Sequence, residues 1–176
     1  MTATVEIVAL ADAGPKRLEE LAQMKRAVYP EAPESYPETA REWSPQQWGV
    51  FVNDDGVLVS YTGVVIRDVV ADGSRVLGGG IGGVATHPAR RGKGYAPLGM
   101  GRALDFLHSR GVQFALLVCR EQLVAYYESL GWRRFTGEML VRQHGEREVF
   151  TFNDVMVGDL TGKAPTSAID LLGAPW

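Results

Sequence analysis

The chain has 176 residues, enough for one ordinary domain and short for two. Apolar residues make up 45% and charged residues 22%, so a packed core is available and disorder is not expected. Lys plus Arg number 18 against 21 Asp plus Glu, a net charge of −3, which argues against a nucleic-acid partner.

The opening segment lacks the basic flank of a secretory leader, and no apolar run reaches membrane-spanning length, so no membrane partner is expected. Thr4 to Val8 alternates polar and apolar and reads as a strand. Pro15 suits a first helical turn, and Leu18, Leu21, Ala22 and Val28 continue a helical stripe up to Pro30. Glu31 to Glu42 is a loop or short helix that holds four glutamates against one arginine, Arg41.

Trp48 to Val52 reads as a strand, and Asp54-Asp55-Gly56 as a hairpin turn. Val57 to Val70 continues as a longer strand. Ala71 to Ser74 turns again, and Arg75 to Thr86 returns as a glycine-rich strand, giving three antiparallel strands in a row.

The pattern then changes. Gly94 to Arg110 has helical spacing and stops at Gly111. Phe114 to Cys119 is a continuous apolar run, as expected of a parallel strand buried on both faces. Strand, helix and strand at this spacing predict a right-handed crossover. The lone Cys119 has no internal disulfide partner and suits a reducing compartment, so a cytoplasmic location is expected.

Leu123, Tyr127 and Leu130 mark a further helix closed by Gly131. Trp132 to Arg142 and Glu148 to Val157 read as a closing hairpin, and Gly158 to Trp176 shows no period. The expectation is one α/β domain over residues 1–176, with a mixed central sheet, flanking helices and a tail from 159 to 176.

Gly78, Gly80 and Gly83 satisfy the dinucleotide pattern GxGxxG, but they lead into more strand and then Pro88 rather than a helix. Gly92-Lys93 lacks the earlier glycine of a phosphate-binding Walker loop. His87, His108 and His144 are scattered, no metal spacing is present, and no metal is expected.

What remains is Arg90-Arg91-Gly92-Lys93-Gly94-Tyr95-Ala96, between a strand end and a helix start. From Ala89 to Leu104 there are four basic residues and no acidic one. Glycines let several N–H groups converge, and a helix N-terminus adds partial positive charge, so this stretch suits a diphosphate.

Val84 to Ala96 resembles the acetyl-CoA-binding motif of the GNAT superfamily of N-acetyltransferases. The family pattern Arg/Gln-x-x-Gly-x-Gly/Ala is met by Arg91, Gly94 and Ala96. Ala125-Tyr126-Tyr127-Glu128-Ser129-Leu130-Gly131-Trp132 is similar to the family's Phe-Tyr-x-x-x-Gly-Phe segment. The order of elements matches over the whole chain. A closer resemblance is to the aminoglycoside 2′-N-acetyltransferases, through Asp55 to Thr86 and the Gly173-Ala174-Pro175-Trp176 ending. The chain departs from that group at Gly82, where a glutamate is usual, and at Ala174, where an acidic residue is usual. Arg120, Leu123 and Pro97 depart from the wider family, and Pro97 has no N–H to offer a phosphate.

The resemblance implies the acyl-CoA N-acyltransferase fold, with two parallel strands splayed apart. It implies acetyl transfer from acetyl-CoA to a primary amine of a small molecule. Val84, Ala85, Thr86, Arg91, Gly92, Lys93, Gly94, Tyr95 and Ala96 would hold acetyl-CoA. Tyr127 would be the general acid that protonates the departing thiolate. Glu31, Glu34, Glu38 and Trp176 would line the site of a cationic acceptor. Glu31, Glu34, Glu38, Glu42 and His87 are candidates for relieving the amine of its proton. A protein or peptide acceptor and a non-catalytic acyl-CoA-binding module are the alternatives, and a homodimer is common in the family.

Overall fold

The computed structural model describes residues 3–29 and 41–176. Its centre is a mixed sheet. Strand β1 (Thr4–Ala9) pairs antiparallel with β2 (Trp48–Asp54), and helix α1 (Pro15–Val28) lies between them in sequence. β2 pairs with β3 (Val57–Ala71), and β3 with β4 (Ser74–Thr86), both antiparallel. Helix α2 (Tyr95–Ser109) then crosses to β5 (Phe114–Cys119), which lies parallel to β4. Helix α3 (Val124–Ser129) follows. Next come β6 (Arg133–Arg134), β7 (Glu138–Gln143), β8 (Glu146–Val149), β9 (Asp154–Asp159) and β10 (Ala168–Asp170). The main path across the sheet is β6-β9-β5-β4-β3-β10-β7-β8, with β2 and β1 joined to β3. The mixed α/β fold expected from the sequence is the one observed.

Alternation builds both sides of β5. Ala115, Leu117 and Cys119 face α2, where Met100, Ala103 and Leu107 supply a stripe at helical spacing. Phe114 and Leu116 face the opposite cluster with Phe135, Met139, Val141, Ile169 and Trp176. α1 covers a third group, in which Leu21 and Met24 meet Phe51, Tyr61 and Ala85.

The closing hairpin expected of Trp132–Arg142 and Glu148–Val157 is present as two ladders: β6 pairs antiparallel with β9 at Arg133–Val157 and Arg134–Met156, and β7 with β8 from Leu140–Val149 to Gln143–Glu146. His144 and Gly145 both adopt positive φ, 50° and 84°, and make a two-residue turn that pairs β7 with β8. Between the two ladders the Phe150 N–H donates to the Met139 carbonyl and the Phe135 N–H to the Val155 carbonyl, both at 2.8 Å, and the other edge of β9 pairs with β5 along its whole length. One expectation is corrected: the tail is not without regular structure. β10 lies antiparallel to β3 and parallel to β7, so it joins two parts of the sheet. Asp72, in the turn between β3 and β4, accepts hydrogen bonds from the N–H groups of Thr166, Ser167 and Ala168 at 2.9, 2.9 and 2.8 Å. Those bonds hold its carboxyl below the usual aspartate range.

Candidate active site

The ladder between β4 and β5 is short. It runs from Gly78–Phe114 to Gly80–Leu116 and stops. Past that rung β4 continues to Thr86 along β3, and β5 continues to Cys119 along β9. The two inner edges part, and their backbone groups face a cleft of about 880 Å3. Ile81 to Val84 and Thr86 form one wall; Leu117 to Arg120 form the other.

A bulge shapes the β4 wall. Gly83 and Val84 together oppose Thr62, between the pairs Gly63–Gly82 and Tyr61–Ala85. Gly83 has φ +58°, which glycine adopts without strain. Tyr29, the residue after α1, donates its hydroxyl to the Val84 carbonyl at 3.1 Å.

β4 ends in a short helical turn, Pro88–Arg90, and the basic loop follows. Gly94 is the N-cap of α2 at φ +80°, again a conformation suited to glycine. The amides of Tyr95 and Ala96 belong to the first helical turn, where no intrahelical acceptor exists. Arg90, Arg91, Gly92, Gly94, Tyr95, Ala96 and Pro97 all line the cleft. Arg91 folds its Nε toward the Thr86 carbonyl at 3.4 Å. Arg120 enters from β5's end. Among the described residues the wall carries three arginines and no carboxylate, so it suits an anionic ligand.

The loop is braced from below. The Tyr95 hydroxyl donates to Asp54 Oδ2 at 2.6 Å, and Arg90 Nη1 lies 3.6 Å from the same oxygen. Asp54 is 1% exposed, and among the described residues its Oδ1 has no hydrogen-bond partner. The hydrogen bond to Asp54 is the main cause that raises the tyrosine's pKa.

Tyr127 lies on α3 with its ring buried and its surface turned to the cleft. It packs edge-on against Tyr126 and Trp132, at 5.2 and 6.4 Å between centroids. Burial, then Cys119, Tyr126 and Tyr29, push its phenol far above the ordinary range, so it keeps its proton. The pitch of a helix suggests that only one of the two tyrosines faces the cleft. Both line it, because α3 is short and Tyr126 sits at the rim, 38% exposed. Cys119, the last residue of β5, has its thiol pushed up to about 11 by burial first and the Asp154 charge second.

Val84, Thr86, Arg91, Gly92, Gly94, Tyr95 and Ala96 of the expected acetyl-CoA residues line the cleft. Ala85 points the other way, into the core under α1, as strand alternation requires. Lys93 lies outside the wall. Tyr95 turns its side chain to Asp54 and has only its backbone to offer. Glu31, Glu34 and Glu38 lie outside the described residues. Glu42 accepts from the His144 N–H at 2.6 Å, His87 Nδ1 caps the turn at Ala89 at 3.3 Å, and neither is among the residues that line the cleft. Trp176 is buried at 6% exposure, with Nε1 donating to the Leu116 carbonyl at 3.0 Å and its main chain beside Gly82 of the cleft wall. Tyr29, Gln122 and Asn153 line the cleft and were not singled out from sequence. Tyr29 alone carries a signal, as the aromatic that ends α1 before the acidic segment.

A family model described as an acetyltransferase (GNAT) domain matches residues 11–135. No curated protein matches the sequence. Among solved structures, a conserved protein of unknown function from Enterococcus faecalis has TM-score 0.59 and 19% identity over 77% of this chain. The chain spans 33% of that protein's length. The GNAT family N-acetyltransferase YhbS of Escherichia coli, solved with CoA, has TM-score 0.65 and 18% identity, covering 96% of this chain and 88% of that one. A GNAT family acetyltransferase of Brucella melitensis, solved with acetyl-CoA, has TM-score 0.59 and 15% identity over 94% of each chain.

Proposed function

Since this chain belongs to the GNAT acetyltransferase family, we propose that it transfers an acetyl group from acetyl-CoA to a primary amine. The observation that carries the reading is the parting of β4 from β5 directly before an arginine-lined helix N-terminus. An extended arm can add to the free edge of β4 as another strand would, while a diphosphate meets the loop amides. Both features sit on one continuous wall.

Acetyl-CoA would supply the acyl group in activated form, as a thioester. The loop from Arg91 to Ala96 would bind its diphosphate. The inner edge of β4 at the bulge would orient its arm, and a strand N–H there would polarise the carbonyl. Transfer forms an N–C bond and breaks a C–S bond; the amine gives up a proton and the sulfur gains one. Tyr127 holds the proton for that sulfur. Its raised pKa keeps it protonated wherever the enzyme works, and its place on the β5 side of the cleft faces the β4 wall.

The acceptor we favour is a small cationic amine, aminoglycosides included. The support is electrostatic: in sequence Glu31, Glu34 and Glu38 come soon after Tyr29, which lines the cleft. A panel of aminoglycosides, polyamines and short peptides, with release of the CoA thiol as readout, tests the activity. Turnover on small amines supports the reading. Turnover on peptides alone would replace the acceptor, and tight CoA binding without turnover on any amine would overturn the catalytic reading.

A further inference from the structure

We propose that Trp176 is the wedge that parts β4 from β5 and the back wall of the acyl site, restricting it to short acyl groups. The proposal rests on the acyl-CoA reading of the cleft and extends it to the choice of donor.

The last paired rung is Gly80–Leu116. The Trp176 indole N–H takes the Leu116 carbonyl of that rung at 3.0 Å. The ring lies on Gly80 so closely that a Cβ there would fall 2.2 Å from Cδ2 and Cε2. Only glycine fits beneath it. One indole therefore touches both strands at the rung where pairing ends.

The wedge is clamped. The Arg67 guanidinium stacks 4.7 Å above the ring. It is held by Ser44 Oγ at 2.8 Å and the Ala174 carbonyl at 2.5 Å. The Trp176 main chain continues the barrier: a Cβ at Gly82 would lie 3.1 Å from its carbonyl carbon.

The direction of the donor follows from the fold. The diphosphate loop lies beyond Thr86, so an arm laid on β4 runs back toward Ile81, a reach of roughly 17 Å at strand rise. Its reactive end stops where the cleft stops, at Ile81, Gly82 and Leu117. Gly80, Leu116 and the buried indole come next. An acetyl group ends before this wall; a longer chain runs into it.

The test is calorimetric titration of CoA, acetyl-CoA and hexanoyl-CoA into the full-length wild type, Trp176→Ala and Trp176→Phe. Wild type should bind acetyl-CoA about tenfold or more tighter than hexanoyl-CoA, and Trp176→Ala should bring the two within about threefold. Trp176→Phe keeps an aromatic ring with less volume and no N–H; it should fall between them, and it carries the comparison if the alanine variant does not fold. An acetyl-to-hexanoyl ratio that is the same in wild type and variants, with CoA bound by all, overturns the wedge and leaves the acyl-CoA site standing. Failure of wild type to bind CoA overturns the site itself, and the wedge with it.

Discussion

The Tyr95 hydroxyl donates to the buried Asp54 carboxylate at 2.6 Å, which ties the first residue of α2 to the last residue of β2. Arg90 reaches the same oxygen from the other end of the loop. A buried carboxylate is costly unless it is paired, so this one is held by the two ends of the segment that would bind a diphosphate. Tyr95→Phe should lower Tm by several degrees and weaken acetyl-CoA binding several-fold, while kcat at saturation stays close to wild type. Asp54→Asn should do the same. The double variant should lose less than the sum, since both changes break one contact. Additive losses in thermal melts and titrations would contradict the brace.

Tyr127→Phe keeps the ring that packs on Trp132 and removes only the proton donor. Acetyl-CoA affinity and Tm should change little. Turnover should fall roughly a hundredfold, the lower range for loss of a positioned acid. Steady-state kinetics with a turned-over amine measure this, and an unchanged kcat would remove Tyr127 from the chemistry.

Cys119 should be slow to alkylate. With its pKa raised to about 11, the thiol is almost wholly protonated at pH 8. Labelling by iodoacetamide should be about a hundredfold slower than for an ordinary thiol of pKa about 8.5. The sign for stability follows. A thiol raised from 9.0 to about 11 in the fold contributes below pH 9, and that contribution is lost as pH rises toward 11. Urea melts from pH 8 to 11 should show the decline, and Cys119→Ala should flatten it.

Asp72 fastens the tail to the β3–β4 turn through three backbone N–H groups. Asp72→Ala should lower Tm at neutral pH and open the chain before β10 to proteases. Because the carboxyl is lowered in the fold from 3.8, its contribution is complete above that pH and fades as pH falls below it. The gap in Tm between wild type and variant should close on acidification. A gap that persists undiminished well below that range would contradict this role.

The elements with a strong period were legible in the sequence. Phe114–Cys119 has the bounds expected, because a strand buried on both faces has no polar interruptions. The basic loop was legible because Ala89 to Leu104 holds four basic residues and no acidic one, and because Arg91, Gly94 and Ala96 resemble the GNAT motif. The tail was not legible. β10 is three residues long and takes its partners from β3 and β7, both distant in sequence. The resemblance implied that Trp176 lines the acceptor site, and nothing local in the sequence shows the Gly80 surface that receives its ring. The brace at Asp54 was hidden for the same reason: an Asp-Asp-Gly turn looks the same whether its first carboxylate faces water or a tyrosine forty-one residues away.

The most direct test of the central claim is calorimetric titration of acetyl-CoA into wild type, Gly94→Glu and Gly101→Glu. Gly94 caps α2 in the proposed cradle, whereas Gly101 lies further along α2, exposed and outside the cleft wall. Wild type and Gly101→Glu should bind alike, and Gly94→Glu should bind at least about thirtyfold more weakly, through one misplaced charge and a side chain at positive φ. Folded wild type that fails to bind acetyl-CoA at millimolar concentration, or equal binding by wild type and Gly94→Glu, would contradict the assignment of this loop and cleft to acetyl-CoA.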